Sequence, residues 1–211
     1  MKLAIIGGGR HALESFYLLR DIGCDDKVIA FVQDEVEEGR QIMGIPIVAK
    51  SDFIRQHQGV EKPHLLGCIG SIIHSKRLVE WFKNEGFVFF NAISPTIKTD
   101  RQKSIGTGVT IAQGSVVTAN VSIGNYSIIN IGCTISHDVV IGDFVNISPG
   151  VHLAGHVHID DEVFIGIGAN VIPNIKVGKG AVIAAGACVI KDVPPYSLVA
   201  GVPATIKKHL R

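Results

Sequence analysis

Ile135-Ser136-His137-Asp138-Val139-Val140-Ile141-Gly142-Asp143-Phe144-Val145-Asn146-Ile147 contains two complete six-residue steps, each bounded by isoleucine. Followed outward, the rhythm runs unbroken from Ile105 to Val189: every sixth residue, fifteen in all, is Ile, Val or Leu. A period of six matches neither the roughly 3.6 residues of a helical turn nor the alternation of a strand. The chain must turn a corner after each short strand, which makes a prism-shaped parallel β-helix.

The fourth residue after each anchor is also restricted, as at Val109, Ser115, Cys133, Val151 and Ala187. Large inward anchors thus alternate with smaller residues near the corners. Ile-Gly pairs begin at 105, 123 and 141, and Val177-Gly178 falls on the same grid of eighteen, with Ile165-Gly166 off that grid. Three hexads then make one coil, and fifteen make about five coils stacked about 4.8 Å apart. Residues eighteen apart become neighbours, so Gly155 falls in the column of His137, one coil on.

The 211 residues, 46% of them hydrophobic, can bury a sizeable core in one or two domains. A net charge of +1 without long charged runs gives no footprint for nucleic acid or an anionic membrane, and neither partner is expected. The apolar run within Met1 to Ala12 is too short for a signal peptide, so the expected location is cytoplasmic. Cys24, Cys68, Cys133 and Cys188 lack CxxC spacing and read as reduced, mostly buried thiols, with Cys133 on an inward column.

Before residue 93 the rhythm is absent. Lys2 to Ile6 reads as a strand, Gly7-Gly8-Gly9 as a turn and His11 to Asp21 as a helix. Further strands are expected at Val28 to Val32 and Leu65 to Ile69, then a helix from Lys76 to Asn84, with Phe87 to Asn91 closing the sheet. This α/β segment amounts to half of a doubly wound dinucleotide fold and suits one nucleotide better than two. The turn is a loose GxGxxG/A, compatible with a plain tight turn or with backbone amides that meet phosphate or ribose. Gln33 or Asp34, at the tip of the next strand, stands where a base or ribose would be read.

His152, His156 and His158 resemble a metal cluster, but successive hexads lie on different prism faces, so 152 and 158 do not meet. No metal is expected. A zinc-bearing carbonic anhydrase of the γ class would share the β-helix, but the nucleotide-like N-terminal segment argues against it. A non-catalytic β-helix would carry a regular outward motif, which this chain lacks.

Two motifs carry a resemblance: the quoted segment from Ile135 to Asp143, and the tail Asp192-Val193-Pro194-Pro195-Tyr196-Ser197-Leu198-Val199-Ala200-Gly201-Val202-Pro203-Ala204. Over nearly its whole length the chain resembles the sialic acid O-acetyltransferase-like family of hexapeptide-repeat sugar acyltransferases. Within that family it is most similar to the UDP-4-amino-sugar N-acetyltransferases of bacillosamine synthesis. The resemblance implies a Rossmann-like nucleotide-sugar-binding domain over 1–92 and a left-handed parallel β-helix acyltransferase domain with its tail over 93–211. It also implies a homotrimer with active sites between neighbouring β-helices.

By that resemblance acetyl-CoA is the co-substrate, His137 the general base, Asp138 its helper, and the Gly155 N–H the donor to the acetyl oxygen. The chemistry agrees: acylating an amine releases a proton, and imidazole, with a pKa near 6.5, takes it up at working pH. No Cys or Ser with a base partner presents itself, so direct attack in a ternary complex is expected. Gly7, Gly8, Gly9, His11, Gly70 and Asn130 are assigned to the nucleotide sugar, and Gln33 and Asp34 to its uracil end. Asn146, Gly155, Ile167, Ala185 and Pro203 are assigned to acetyl-CoA. One departure stands out: Asn146 occupies a segment in which many relatives carry a second His, and Asn cannot titrate. The expected reaction is N-acetylation at C4 of a UDP-linked 4-amino-4,6-dideoxy sugar for glycan synthesis. O-acetylation of a sugar or sialic acid, or a GDP- or dTDP-linked amino sugar, is the alternative.

Overall fold

Leu3–Ile6, four consecutive buried residues, form β1, the strand on which the N-terminal half is organised. The computed structural model describes residues 1–37, 39–67 and 69–210, so Cys68 lies outside the described residues. Two compact units divide the chain, Met1–Ala92 and Ile93–Arg211.

In the first unit, β1 is followed by α1 (Arg10–Ile22), β2 (Val28–Gln33), β3 (Gln41–Ile42), β4 (Ile45–Ala49), α2 (Lys50–Gln56), β5 (His64–Gly67) and α3 (Ile72–Asn84). The sheet order is β3-β4-β2-β1-β5, parallel throughout except for the β3–β4 hairpin. Helix α1 ends because Gly23 adopts φ +75°, which lets its own N–H and that of Cys24 return to Arg20 and Leu19 carbonyls. Leu3, Ile5, Phe16, Leu19, Phe31 and Leu66 pack the core between these elements.

The sequence pattern misses β3, β4 and α2, whose segment lacks a clear apolar period. It also starts α3 four residues late, because Ile72 and Ile73 precede the periodic stretch. Phe87 to Asn91 does not form the expected closing strand. It reaches β5 through a single parallel bridge, Leu65 with Phe89, and two backbone hydrogen bonds.

The second unit is a left-handed β-helix of two-residue strands in three parallel sheets, one of which ends in the antiparallel pair Ser197–Ala200 and Thr205–His209. Its faces are named by their anchors: the Ile129 face, the Ile135 face and the Ile141 face. Across each face from Ser104 to Val189, paired strands join residues eighteen apart, such as Ile123 with Ile141 and Ile135 with Leu153. The anchors and fourth-position residues form one continuous buried core. Polar members of that core are satisfied between coils: Ser127 Oγ donates to the Gly142 carbonyl at 2.8 Å and accepts from Val145 N–H at 3.0 Å.

Each corner requires a left-handed backbone, and the three prism edges meet that requirement differently. One edge uses only glycine: Gly114, Gly132, Gly150, Gly168 and Gly186. The second carries Tyr126, Phe144 and Glu162 between glycines 108 and 180, and the third carries Asn120, Asp138, His156 and Asn174 at φ 58–64°. Asn, Asp and His are the non-glycine residues that enter this region most readily. These are the Gly132 edge, the Phe144 edge and the Asp138 edge.

Cys24 and Cys133 are buried free thiols, and burial pushes the Cys133 thiol above its ordinary pKa. Cys188 departs from the buried expectation, since it is partly exposed on the outer side of the Ile135 face. Among the described residues, no helix is long and apolar enough to cross a membrane. Replacing Ile147, fully buried in the core, by Ala removes three methyl(ene) groups where stacked coils cannot collapse. We expect a loss of about 2–5 kcal/mol, read from the denaturant midpoint at unchanged m.

Candidate functional site

In the first unit the strand order reverses between β1 and β5, so the loops leaving their C-terminal ends part and open a crevice. A cavity of about 440 Å³ lies there, lined by Gly7, Gln33, Asp34, Lys50, Gly70 and His74 among others. The structure therefore brings together four of the residues singled out in the sequence: Gly7, Gln33, Asp34 and Gly70. Gly7 holds φ +124°, and its N–H donates to the Val32 carbonyl. Gly8 makes room for a side chain: a Cβ there would lie 2.3 Å from Gln33 Nε2 and displace that amide. Gly9 is the N-cap of α1, and a Cβ there would meet nothing within 4 Å. His11 does not line the crevice; its Nδ1 pairs with Glu14 at 3.2 Å.

Asp34 is not a free carboxylate. Lys50 Nζ is 2.7 Å from one oxygen and His74 Nε2 is 3.6 Å from the other. The Lys50 hydrogen bond holds the Asp34 carboxyl below the usual carboxylate range. The same ammonium sits 4.6 Å from the Trp81 ring centroid. Neither Lys50 nor His74 is visible as a site residue in the sequence. Lys50 opens the unpredicted α2, and His74 lies in the unpredicted first turn of α3.

On the β-helix, His137 Nδ1 lies 2.8 Å from Asp138 Oδ2, and this hydrogen bond is the main reason the Asp138 carboxyl is held below its ordinary range. The Asn120 side chain, eighteen residues earlier, adds to the effect. Gly155 is one coil above His137, and a Cβ there would stand 2.7 Å from His137 Cε1 and 2.8 Å from Nε2. The Gly155 N–H makes no hydrogen bond among the described residues. An imidazole with a bound carboxylate thus packs against a glycine whose N–H is unpaired. Such a set can accept a proton and steady a developing oxyanion.

The other expected residues lie elsewhere on the prism. Asn130 and Asn146 are on the Ile129 face, where Asn130 Nδ2 donates to the Ile147 carbonyl at 2.8 Å and lies 3.4 Å from Asn146 Oδ1. Asn146 is buried. Ile167 and Ala185 each precede a glycine of the Gly132 edge, and Pro203 sits in the turn between Ser197–Ala200 and Thr205–His209. Within one chain, none of these shares the Asp138 edge with His137. The three histidines also separate: His152 bonds Thr134, and His158 pairs with Asp160. His156 is exposed, as read in the sequence, and it also comes to Asp138, with Nε2 at 3.9 Å from Oδ2 and its ring edge-on to His137. The eighteen-residue register that paired 137 with 155 pairs 138 with 156 equally well.

The whole chain is similar to solved sugar acetyltransferases. It superposes on perosamine N-acetyltransferase from Caulobacter crescentus, determined as a variant with CoA and GDP-perosamine, at 32% identity and TM-score 0.89, covering 99% of this chain and 97% of that one. The acetyltransferase domain of PglB from Neisseria gonorrhoeae, in complex with acetyl coenzyme A, matches at 28% identity and TM-score 0.88, over 97% and 98% of the two chains. WeeI from Acinetobacter baumannii matches at 28% identity and TM-score 0.87, over 98% and 99%. No protein-family model and no curated protein matches the chain. The chain belongs to the hexapeptide-repeat family of sugar N-acetyltransferases.

Gly155→Ala tests the packing of this site. The clash falls on the mobile end of the His137 side chain, so the fold should survive while the ring is displaced. We expect near-wild-type thermal unfolding with acetyl transfer reduced on the order of a hundredfold, measured by thiol release.

Proposed function

We propose that the protein transfers the acetyl group of acetyl-CoA to the C4 amine of a nucleotide-linked 4-amino-4,6-dideoxy sugar, with UDP as the nucleotide and His137 as general base. The observation that carries this reading is the 2.8 Å His137–Asp138 bond beside the unpaired Gly155 N–H. With Asp138 accepting from Nδ1–H, Nε2 carries the lone pair. The neutral amine attacks the thioester carbonyl, a C–N bond forms, and the carbonyl oxygen takes on charge facing the Gly155 N–H. Nε2 accepts the proton released by nitrogen. Collapse of the intermediate breaks the C–S bond and expels a thiolate whose pKa is about 8.5, so no strong acid is required. The imidazolium then returns its proton to solvent or thiolate.

The crevice of the first unit is the proposed nucleotide site, with Gly7, Gly8, Gly9 and Gly70 at the phosphate and ribose side and Gln33 and Asp34 at the base. A GDP-linked sugar is the second reading. It is favoured by the likeness to an enzyme solved with GDP-perosamine, and by the Asp34 carboxylate, which complements the adjacent N–H donors of guanine. Because His137 and the residues assigned to acetyl-CoA at Ile167 and Ala185 occupy different edges of one prism, a complete site draws on a second copy. The proposed assembly is a trimer in which His11 of one copy approaches His137 of another, working in the cytoplasm.

Thiol release from acetyl-CoA with UDP-, GDP- and dTDP-linked 4-amino sugars and with free sialic acid tests the assignment. One amino sugar should turn over, and His137→Ala should lower its kcat by about 10²–10⁴ with little change in KM. Turnover of sialic acid alone would replace N-acetylation of a nucleotide sugar with O-acetylation.

A further inference from the structure

Asp138 stands between two imidazoles that belong to successive coils. We infer that His137, Asp138 and His156 bind a divalent late transition-metal ion of the Zn²⁺ class, and that the bound ion blocks acetyl transfer. The binding half stands on geometry alone; the inhibitory half rests on the reading of His137 as general base.

The donor set is nitrogen, oxygen, nitrogen, which suits zinc and its neighbours rather than magnesium or calcium. Tetrahedral zinc with bonds of about 2.0–2.2 Å needs ligand atoms about 3.3–3.6 Å apart. His137 Nδ1 and His156 Nε2 lie 2.8 Å and 3.9 Å from Asp138 Oδ2, on either side of that value. One ligand atom from each residue lies within 4.8 Å of the others. Small side-chain rotations close the difference, because the carriers are already fixed. His156 N–H donates to the His137 carbonyl and Asp138 N–H to the Ala119 carbonyl, both at 3.1 Å. The Asn120 amide braces the carboxylate from the coil below. Both imidazoles are more than half exposed, which leaves the remaining coordination position open to water. The other outward histidines offer no such chelate: His158 has one carboxylate and His152 a threonine hydroxyl.

Metal on Nδ1 reverses the base. Nδ1 must give up its proton to bind, the ring proton then resides on Nε2, and Asp138 turns to the ion. The lone pair that would receive the amine proton is gone, and no bond of the substrate is touched.

The test uses the full chain stripped with chelator, titrated with ZnCl₂ by calorimetry and with CoCl₂ by visible absorption. We expect one ion per chain and a tetrahedral cobalt spectrum without a thiolate charge-transfer band. His156→Asn should weaken binding at least about tenfold, since loss of a second-shell partner alone costs that much. Asn is the substitution of choice because Asn120 and Asn174 already hold the same left-handed corner in this column. Zinc should inhibit thiol release by the wild type, a chelator should restore it, and His156→Asn should resist. Absent binding, unchanged binding in His156→Asn, or a thiolate band would overturn the site. Binding of one ion that His156→Asn abolishes, without inhibition of an active enzyme, would keep the site and overturn the blocked-base step. Failure of acetyl transfer in metal-free wild type would fall on the proposed function instead, with the calorimetry unaffected.

Discussion

The stacking of coils at a fixed interval of eighteen residues is the constraint on which the rest of the β-helix depends. Parallel ladders hold each two-residue strand against its counterparts above and below, and the buried anchors leave no freedom to slip. Register on this scaffold is therefore also site geometry. The contacts of His137 with Gly155, and of Asp138 with Asn120 and His156, are consequences of one number. A rigid prism is a suitable base for acid–base chemistry, where displacement of the reacting group by an ångström is felt strongly.

The first unit solves a different problem with a different device. Its crevice exists because adjacent parallel strands send their following loops in opposite directions, and glycine allows Gln33 to pack against the turn at position 8. Its charge is internally balanced: the Asp34 carboxylate is engaged by Lys50 and His74 before any ligand arrives. A ligand that bonds Asp34 shares the carboxylate with Lys50, whose hydrogen bond is to Oδ1. The aromatic face of Trp81 behind the ammonium gives that lysine a second resting partner.

How much could be read in advance follows from the kind of signal. The hexads announce the β-helix because burial of Ile, Val and Leu repeats along the sequence, and the same period places Gly155 beside His137. The glycine turn and its neighbouring strands announce the crevice for a similar reason. Lys50 and His74 escaped because they sit at helix starts in segments without periodicity, where only tertiary packing chooses the conformation. The approach of His156 to Asp138 does not show in a spacing of six, which separates faces, but follows from a spacing of eighteen, which joins coils. Asn146, assigned to acetyl-CoA by likeness, is buried and lies against Asn130, a contact that no local pattern encodes.

The left-handed corners carry a consequence for how such a site can arise. At φ near +60° the backbone disfavours most side chains and admits glycine, asparagine, aspartate and histidine with least strain. On the Asp138 edge that steric filter has left Asn120, Asp138, His156 and Asn174 in one vertical row. The residues that tolerate the bend are also those that carry protons, accept hydrogen bonds and ligate metals. The bend favours that chemically active alphabet without enforcing it, since the Phe144 edge turns the same corner with Tyr126, Phe144 and Glu162. Variation there, selected only for a foldable corner, would keep sampling reactive constellations.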